Sequence, residues 1–408
     1  MNIMTIWILN HHALTPQMSG GTRHYDFAKE LIKRGHKVTI ISASIHYSTY
    51  KEFKDYKKNN YLKENIDGIN WIWIKTPAYK GNGAARVKNM LSFMFSVNKI
   101  IPKLDLEKPD IIIGSSVHLF AVLSAYKLSK KYKVPFIMEV RDLWPQTLID
   151  MGISKWHPFI ILLGWLEKFL YKKADKIITL LPKANLYIEK LGIKKEKIIW
   201  ISNGANVKNF SYKLKLDSKK FNVVYSGSIG IANDLDILVE AANLLKDNNF
   251  IHFTIIGAGA MKEELVAKTK TNNLANITFL DPMPKEDIYD YLFSANLLYV
   301  GLKNLPLYRY GMSMNKIFDY MSASKPILFV SEMTENIVET AQCGFVEKSS
   351  NIKQIAKRIE SISQMPTFEL EKLGKNGYDY LQDHYSIKVL CDKLEAVLKE
   401  VANDKKSV

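Results

Sequence analysis

The feature that most constrains the fold is an alternation of short apolar segments with helical segments, repeated along the chain. The first unit consists of the apolar segment NIMTIWILN, a polar loop, the helical segment YDFAKELIKRGH and a second apolar segment, KVTIISA. Continuous apolar runs of this length are typical of strands buried on both faces, and the change to a 3.6-residue period indicates a helix. Strands that alternate with helices pair in parallel through right-handed crossovers. The alternation therefore predicts an α/β protein with parallel sheets.

The alternation is interrupted once, and the interruption divides the chain. The polar stretch NGANVKNFSYKLKLDSKK separates the first series of segments from FNVVYSG, where the alternation resumes. We predict an N-terminal Rossmann-like domain over residues 1–204, a linker over 205–219 and a C-terminal Rossmann-like domain over 220–385. An amphipathic helix over 386–408 is expected to pack back on the N-terminal domain. A chain of 408 residues is long enough for two such cores.

Two glycine-containing loops follow predicted strands, at the edge where open α/β sheets bind ligands. Gly20 and Gly21 come after the first strand of the chain, and Gly227 and Gly230 come after the first strand of the second half. Glycine lets the backbone approach a phosphate closely, although an ordinary tight turn would use it as well. Both loops are therefore candidate phosphate-binding loops, with a plain turn as the alternative.

The segment MEVRDLWPQ places three charged residues where a predicted strand ends. These residues are Glu139, Arg141 and Asp142, and charges at this edge of a sheet favour a functional role. An Arg–Asp pair that only holds the loop is an equally good interpretation. His118 lies just beyond another strand, and Arg23 begins the first helix, where an exposed capping residue is the alternative.

The segment GLKNLPLYRYGMSMNKIFDYMSASKPILFV combines a strand, a loop, a helix and a second strand. Ser313 is predicted to cap a helix from about Met314 to Ser324, which puts Lys316 in the first turn. A cation is unfavourable beside the positive end of a helix dipole unless an anion shares the site, and helix N-termini bind phosphates. Asp319 lies on the same face as Lys316. The pair suits a nucleotide-sugar, although a surface pair beside a core helix is the alternative.

The net charge limits the kinds of partner that the protein can bind, and the cysteine content indicates its compartment. The formal net charge is +16, and the basic residues are mainly lysines that are scattered along the chain. No zinc-finger spacing, RNP motif or basic helix accompanies them, so we expect no nucleic-acid partner; phosphorylated ligands or an anionic membrane surface fit better. The two cysteines, Cys343 and Cys391, form no disulfide framework, which indicates a reducing compartment.

Several segments bear on localisation. The N-terminal segment MTIWIL is too short for a signal peptide, and the longest apolar run, PFIILLGWL, is too short to span a bilayer. Residues 87–104 and 156–173 carry aromatic side chains and flanking lysines, which favours helices that lie at a membrane interface. Buried core helices are the alternative. We expect a cytoplasmic protein that is peripheral on the inner face of the plasma membrane.

Asp234 and Asp236 form a D-x-D pair, which could hold a metal ion. They lie at a predicted helix start, where acids complement the helix dipole. We therefore predict no metal site and no cofactor.

Taken in order, several segments resemble GT-B glycosyltransferases of family four. They are GGTRHYDFAKELIKRGHKVTII, MEVRDLWPQTLID, IIWISNGAN, GSIGIANDLDILVEAA and MNKIFDYMSASKPIL. The resemblance covers nearly the whole chain and is greatest to the fucosaminyltransferase-like branch that builds O-antigen, capsule and colanic-acid chains. It implies a GT-B fold, in which two Rossmann-like domains face each other across a cleft.

The resemblance also implies roles for residues of the donor site. The family motif has two acids separated by seven residues. The second acid, which holds the ribose hydroxyls, matches Asp319, whereas the first, which contacts the donor sugar, falls at Gly311. The diphosphate-binding Arg and Lys of the family fall near Ser228 and Asn233 and are absent here. Lys316, which the branch carries as a lysine, would neutralise the diphosphate together with Arg309.

The implied reaction is a retaining, metal-independent transfer of a hexosyl or N-acetylhexosaminyl group from a nucleotide-sugar, expected to be a UDP-sugar, to a polyprenyl-diphosphate-linked saccharide. A leaving phosphate oxygen would take the acceptor proton. A GT-B nucleotide-sugar epimerase and a non-catalytic partner subunit of a membrane-bound transferase are the alternatives.

Asp142 stands where many relatives carry a histidine. The implied catalytic residues are Asp142, Lys316, Arg141 and Glu139; the donor-binding residues are Gly20, Gly21, Gly227, Gly230, Arg309, Asp319 and Asn315; the acceptor or sugar contacts are Arg23 and His118.

Overall fold

The computed structural model describes residues 3–47, 49–81, 83–116, 118–206, 213 and 215–404. These residues form an eight-stranded sheet and a six-stranded sheet, each with helices packed on both faces. The predicted linker 205–219 lies partly outside the described residues, as does the end of the predicted segment 386–408. The α/β fold with two parallel sheets, expected from the alternation, is confirmed.

The first sheet belongs to the N-terminal domain and has the strand order β3-β4-β2-β1-β5-β6-β7-β8. All neighbouring strands are parallel except β3 and β4, which pair antiparallel. The strands are β1 (Thr5–Leu9), β2 (Lys37–Ala43), β3 (Tyr61–Ile66), β4 (Ile69–Ile74), β5 (Ile111–Ser116), β6 (Phe136–Val140), β7 (Lys176–Thr179) and β8 (Ile198–Trp200). The helices are α1 (Arg23–Lys33), α2 (Ala84–Ile100), α3 (Leu119–Tyr132), α4 (Gln146–Asp150), α5 (Pro158–Lys173) and α6 (Asn185–Ile188).

The second sheet belongs to the C-terminal domain, has the order β11-β10-β9-β12-β13-β14 and is parallel throughout. Its strands are β9 (Phe221–Ser226), β10 (Ile251–Ile256), β11 (Ile277–Leu280), β12 (Leu297–Gly301), β13 (Ile327–Val330) and β14 (Gly344–Glu347). The helices are α7 (Leu235–Leu244), α8 (Lys262–Thr271), α9 (Lys285–Ser294), α10 (Asn315–Ser322), α11 (Ile337–Thr340), α12 (Ile352–Ser363) and α13 (Thr367–His384).

The last helix, α14 (Ile387–Asp404), returns to the first half of the chain and packs against α1. Its apolar face joins the same core as β1 and β2. At the edge of this contact Arg34 pairs with Asp392 at 2.7 Å and with Glu395 at 2.9 Å. The apolar face of this amphipathic helix is therefore buried against the N-terminal domain.

The helix predicted from about Met314 to Ser324 is shorter than expected, and Ser313 does not cap it. Helix α10 begins at Asn315 and has no side-chain cap. The Ser313 hydroxyl instead accepts a hydrogen bond from the backbone N–H of Asn203 at 2.8 Å, and the Asn203 amide donates to the Ser313 carbonyl at 2.6 Å. The capping prediction is wrong because this hydroxyl joins the two domains.

No helix in the described part of the chain is both long and apolar enough to cross a bilayer.

Candidate active site

A cavity of about 460 Å³ lies between the two domains, at the carboxyl-terminal edges of both sheets. Such an edge is where open α/β sheets bind ligands. Many of the residues predicted for the site lie in its wall. The N-terminal domain contributes Gly20, Gly21, Tyr47, Arg141 and Asp142, and the C-terminal domain contributes Gly227, Lys285, Tyr289, Asn315, Lys316 and Asp319.

Lys316 lies in the first turn of α10, as predicted, and points towards the end of β9. Its ammonium group donates to the Tyr225 hydroxyl at 2.7 Å and to the Asn233 side-chain carbonyl at 2.7 Å. Both partners are neutral, and burial lowers the pKa of Lys316 to about 7. Bound phosphate would raise that pKa again, so the site favours an anion.

Gly227 makes this approach of Lys316 possible. Its φ of +150° lies in the region that favours glycine, and a Cβ here would lie 3.1 Å from the Lys316 ammonium nitrogen. The glycine loop after β9 therefore leaves room for the Lys316 side chain beside the end of the strand.

Asp319, one turn along α10, has partners that the sequence analysis missed. One of its oxygens accepts hydrogen bonds from the Tyr289 hydroxyl and from Lys285, both at 3.0 Å. Burial alone would lower the pKa of Lys285, but the charge of Asp319 raises it overall. Lys285 is the first residue of α9, so the signal that singled out Lys316, a cation at a helix N-terminus, would also have found it.

Gly311, where the family motif would carry its first acid, occupies a position that suits only glycine. Its φ is +86°, and a Cβ would lie 2.5 Å from the side chain of Pro182 on the N-terminal domain. A glutamate at this position would be strained and would collide with Pro182. The glycine that stands in place of the first acid is therefore part of the contact between the two domains.

The glycine loop after β1 meets the second domain in the same region. A Cβ on Gly21 would lie 2.1 Å from the side-chain amide of Asn315. A larger residue here would displace the Asn315 side chain, so Gly21 lets the loop lie close to the start of α10 without moving it.

Arg141 and Asp142 follow β6 on the opposite wall. The Arg141 backbone N–H donates to the Ser116 hydroxyl at 3.1 Å, which holds the loop to the neighbouring strand β5. The cleft walls raise the pKa of Asp142 by desolvation, and Arg141 opposes this shift. Asp142 also faces the second domain, because its charge adds to burial in raising the pKa of Tyr308 to about 12. Both residues therefore lie where they could orient a sugar.

Glu139 and Arg23 lie inside the N-terminal domain rather than in the cavity wall. Glu139 accepts hydrogen bonds from Arg23 at 2.9 Å and from Ser115 at 2.7 Å, and lies 2.8 Å from His24. Burial would raise the pKa of Glu139, but Arg23 and His24 hold it well below its ordinary value. Arg23 also donates to the Ile201 carbonyl at 3.0 Å. Both residues connect elements of the first domain, and Arg23 is buried rather than exposed.

Three further predicted residues also lie away from the cavity wall, as far as the described residues define it. Arg309 pairs with Asp150 at 3.0 Å and so joins the two domains. Gly230 lies at the end of the glycine loop, before α7. His118 is buried at the N-cap of α3, where its Nδ1 accepts a hydrogen bond from the backbone N–H of Ala121 at 3.2 Å.

The D-x-D pair shows the helix-start placement predicted for it. Asp234 precedes α7, and Asp236 pairs with Lys268 of α8 at 2.6 Å. Across the described residues, no group of three or more His, Cys, Asp or Glu side chains is arranged to hold a metal ion. Metal independence stays a prediction.

Two family models match successive parts of this chain. Residues 19–209 match the model "Glycosyltransferase Family 4", and residues 206–380 match "Glycosyl transferases group 1". Together with the two facing Rossmann-like domains, these matches support a GT-B glycosyltransferase of family 4. Glycosyltransferase activity is thereby supported, as the resemblance implied.

Individual relatives agree with this class. A protein of Escherichia coli (strain K12) described as "Putative colanic acid biosynthesis glycosyl transferase WcaI" is 25% identical over 284 residues, which are 65% of this chain and 69% of WcaI. Among solved structures, sucrose-phosphate synthase of Thermosynechococcus elongatus has a TM-score of 0.76 at 15% identity, over 98% of this chain and 99% of that one. Anabaena HepE in complex with UDP-glucose has a TM-score of 0.66 at 13% identity, over 97% of this chain and 100% of that one. The likeness to these structures confirms the expected GT-B fold.

Proposed function

We propose that the protein is a retaining glycosyltransferase that moves a sugar from a UDP-sugar to a polyprenyl-diphosphate-linked saccharide in bacterial surface polysaccharide synthesis. The observation that carries the proposal is Lys316, held at the N-terminus of α10 by two neutral partners and facing the cavity between the domains. The name of WcaI supports a role in polysaccharide synthesis, and the UDP-glucose complex of HepE supports a UDP-sugar donor.

On the donor side, the diphosphate of the nucleotide lies at the N-terminus of α10, beside Lys316 and the Gly227 loop. The Asp319 carboxylate accepts hydrogen bonds from the ribose hydroxyls, and Lys285 and Tyr289 hold it in place. As the bond between the anomeric carbon and the diphosphate breaks, negative charge grows on the leaving phosphate. Lys316 stabilises that charge, which is the largest contribution this wall can make to the rate.

On the acceptor side, Arg141 and Asp142 orient the incoming hydroxyl group. The hydroxyl oxygen forms the new bond to the anomeric carbon on the face that the diphosphate leaves, and the proton passes to the departing phosphate oxygen. Holding both substrates in this geometry lowers the barrier by making the reaction effectively unimolecular. Contact between the domains excludes water, which would otherwise hydrolyse the donor.

Membrane association is the second part of the proposal. In the segment 156–173, Trp156 is 75% exposed and lies beside Lys155 just before α5. Trp165 is 78% exposed and lies within α5, which carries other exposed apolar side chains and ends with Lys172 and Lys173. Apolar side chains beside lysines suit the interface of an anionic bilayer. The other predicted segment, 87–104, buries Phe93 in the core of the first domain and supports the proposal less.

A thermal-shift screen of UDP-, GDP- and dTDP-sugars, followed by product analysis, tests the donor assignment. A UDP-sugar should raise the melting temperature most, because a ligand that binds only the native state stabilises it. Slow hydrolysis of that donor without acceptor, unaffected by EDTA, would support a metal-independent transferase. An altered sugar on an intact nucleotide would favour the epimerase, and nucleotide-sugar binding too weak to measure would favour the partner subunit.

Vesicle flotation tests the membrane assignment. The protein should float with phosphatidylglycerol vesicles at low salt, and the interaction should weaken towards about 0.5 M salt, because screening shortens the reach of the lysines. Replacing Trp156 and Trp165 by alanine should abolish flotation. The matched control is Phe368→Ala, which removes an exposed aromatic side chain from the second domain. Wild-type protein that stays in the soluble fraction would contradict the assignment.

A further inference from the structure

Three buried histidine rings lie together behind the N-terminal wall of the cavity. The His11 ring stacks on His12 with a centroid distance of 4.4 Å and on Phe93 at 4.3 Å. His11 Nδ1 lies 2.6 Å from His118 Nε2. The exposed fraction of His12 is 6%, and that of the other two rings is 0%. The cluster therefore joins the loop after β1 to the start of α3, at the ligand-binding edge of the first sheet.

Several nitrogens in this cluster have no hydrogen-bond partner among the described residues. These are Nε2 of His11 and both ring nitrogens of His12. Buried polar atoms are nearly always paired, so each exception calls for a ligand, an ordered water or a strained function. A phenylalanine would fill the space of His12 without losing any hydrogen bond. The choice of histidine is therefore unexplained by packing.

The charged side chains that act on these rings, Arg86 and Arg141, are both cations. Besides burial, the groups that lower the pKa of His12 are His118, Arg86, Arg141 and His46, all of them basic. His11 is affected in the same way by burial and by His12, His118 and Arg86. Arg86 lies in the first turn of α2, which contains no acid. Because burial lowers the pKa of all three histidines and favours their neutral form, Arg86 and Arg141 supply the positive charge that a bound anion would offset.

The cluster lies one side chain away from the cavity. The His12 ring is 5.9 Å from the ring of Tyr47, centroid to centroid. Tyr47 lines the cavity together with Arg141, and Asp142 follows Arg141 along the wall. Tyr47 thus lies between the His12 ring and the cavity, and Arg141 lines the cavity beside it.

We propose that His11, His12 and His118, with Arg86 and Arg141, form a subsite for a phosphate or diphosphate group of the acceptor. The proposal rests on the function proposed above, in which Lys316 on the opposite wall holds the diphosphate of the donor. A second anion-binding site on the acceptor wall then serves the other substrate. The imidazole and guanidinium groups donate hydrogen bonds to the phosphate oxygens. An acceptor anchored there presents its hydroxyl group towards Asp142.

Calorimetric binding of inorganic pyrophosphate and of farnesyl diphosphate to protein saturated with UDP tests this subsite, because UDP already fills the donor site. Both probes should bind the wild type, and farnesyl diphosphate should bind more tightly. His12→Phe should weaken both by about tenfold or more, which is the loss expected for a hydrogen bond to a charged group. UDP affinity should not change, and the melting temperature should stay the same or rise because no hydrogen bond of the free protein is lost.

The matched control is His252→Phe, in the second domain, where the His252 ring contacts Thr278 at 3.0 Å. It should bind both probes like the wild type. Arg141→Gln, in the cavity wall beside the cluster, is a second variant that should weaken both probes. The proposal would be overturned if both probes bound the wild type and His12→Phe equally well. It would also be overturned if inorganic pyrophosphate bound as tightly as farnesyl diphosphate, because the site would then take a free ion. If the wild-type protein does not bind UDP at all, the proposed UDP-sugar donor is wrong instead.

Discussion

Two lysines stand at the starts of neighbouring helices on one wall of the cavity, yet their surroundings are opposite. Lys285, at the start of α9, pairs with Asp319 at 3.0 Å, and its pKa is raised. Lys316, at the start of α10, contacts only neutral groups among the partners described, and its pKa is lowered to about 7. Lys285 has a compensating charge within the protein, so it can position Asp319. Lys316 has none at hydrogen-bonding distance among the described residues, so a bound anion would supply the charge that stabilises its protonated form.

The largest expected effect tests the Lys316 half of this comparison. Lys316→Ala should lower kcat/KM by about 100-fold or more, because it removes the cation that stabilises charge on the leaving phosphate. Steady-state kinetics with the donor identified in the thermal-shift screen would measure this loss, and circular dichroism would check the fold. Lys268→Ala, which removes a lysine paired with Asp236 outside the cavity, is the control and should retain activity. Wild-type kinetics in a folded Lys316→Ala protein would rule out the phosphate role.

A smaller loss is expected when the partner of Lys285 is removed. Asp319→Ala should weaken UDP and UDP-sugar together, by about tenfold or more, because ribose is common to both and a hydrogen bond to a charged group is lost. Titration calorimetry with each ligand would measure the effect. If UDP binds as well as it does to the wild type, Asp319 only positions Lys285 and Tyr289.

The pH dependence of UDP binding compares the two lysines without a mutation. A bound diphosphate should raise the pKa of Lys316 from about 7 towards its ordinary value, so binding above pH 7 takes up a proton. UDP affinity should therefore fall between pH 7 and pH 9, by up to about tenfold per pH unit. Lys285 is already protonated over this range and should not contribute.

Calorimetry in two buffers of different ionisation enthalpy would detect the proton uptake directly. Lys316→Arg is the control for the pH effect, because arginine stays charged over this range, and the pH dependence should then disappear. If the UDP affinity of the wild type is constant from pH 7 to pH 9, Lys316 is already fully charged without ligand.

The comparison also shows what the sequence could and could not predict. The sheets follow from continuous apolar runs such as TIWIL of β1 and LLYVG of β12, which are local patterns. Lys316 and Asp319 could be predicted because a cation in a first helical turn is a local anomaly. Their placement in one cavity was an inference that the structure agrees with, although the roles of the site residues stay predictions.

Contacts between distant segments could not be read from the sequence. Tyr225 and Lys316 are 91 positions apart, and His11 and His118 are 107 positions apart, so no local pattern joins them. Arg23 and Glu139 carry the charges that suggested a site, but the same charges satisfy each other inside the first domain. In each case the residue type indicated what the side chain could do, whereas only the fold decides whether that side chain faces the cavity.

The smallest expected effect is that of Lys285 itself. Lys285→Met should change UDP affinity by less than about fivefold, because Asp319 keeps its hydrogen bond from Tyr289 at 3.0 Å and can still accept from ribose. A double-mutant cycle sharpens this expectation. Lys285→Met and Asp319→Ala should be coupled by about 0.5–3 kcal/mol in the free energy of unfolding, as expected for residues in contact. Lys285→Met and Lys316→Ala should be nearly additive, because each lysine has its own partners. If Lys285→Met lost as much UDP affinity as Lys316→Ala, the two lysines would not differ in the way described here. Pairing with Asp319 would then not keep Lys285 from binding the nucleotide.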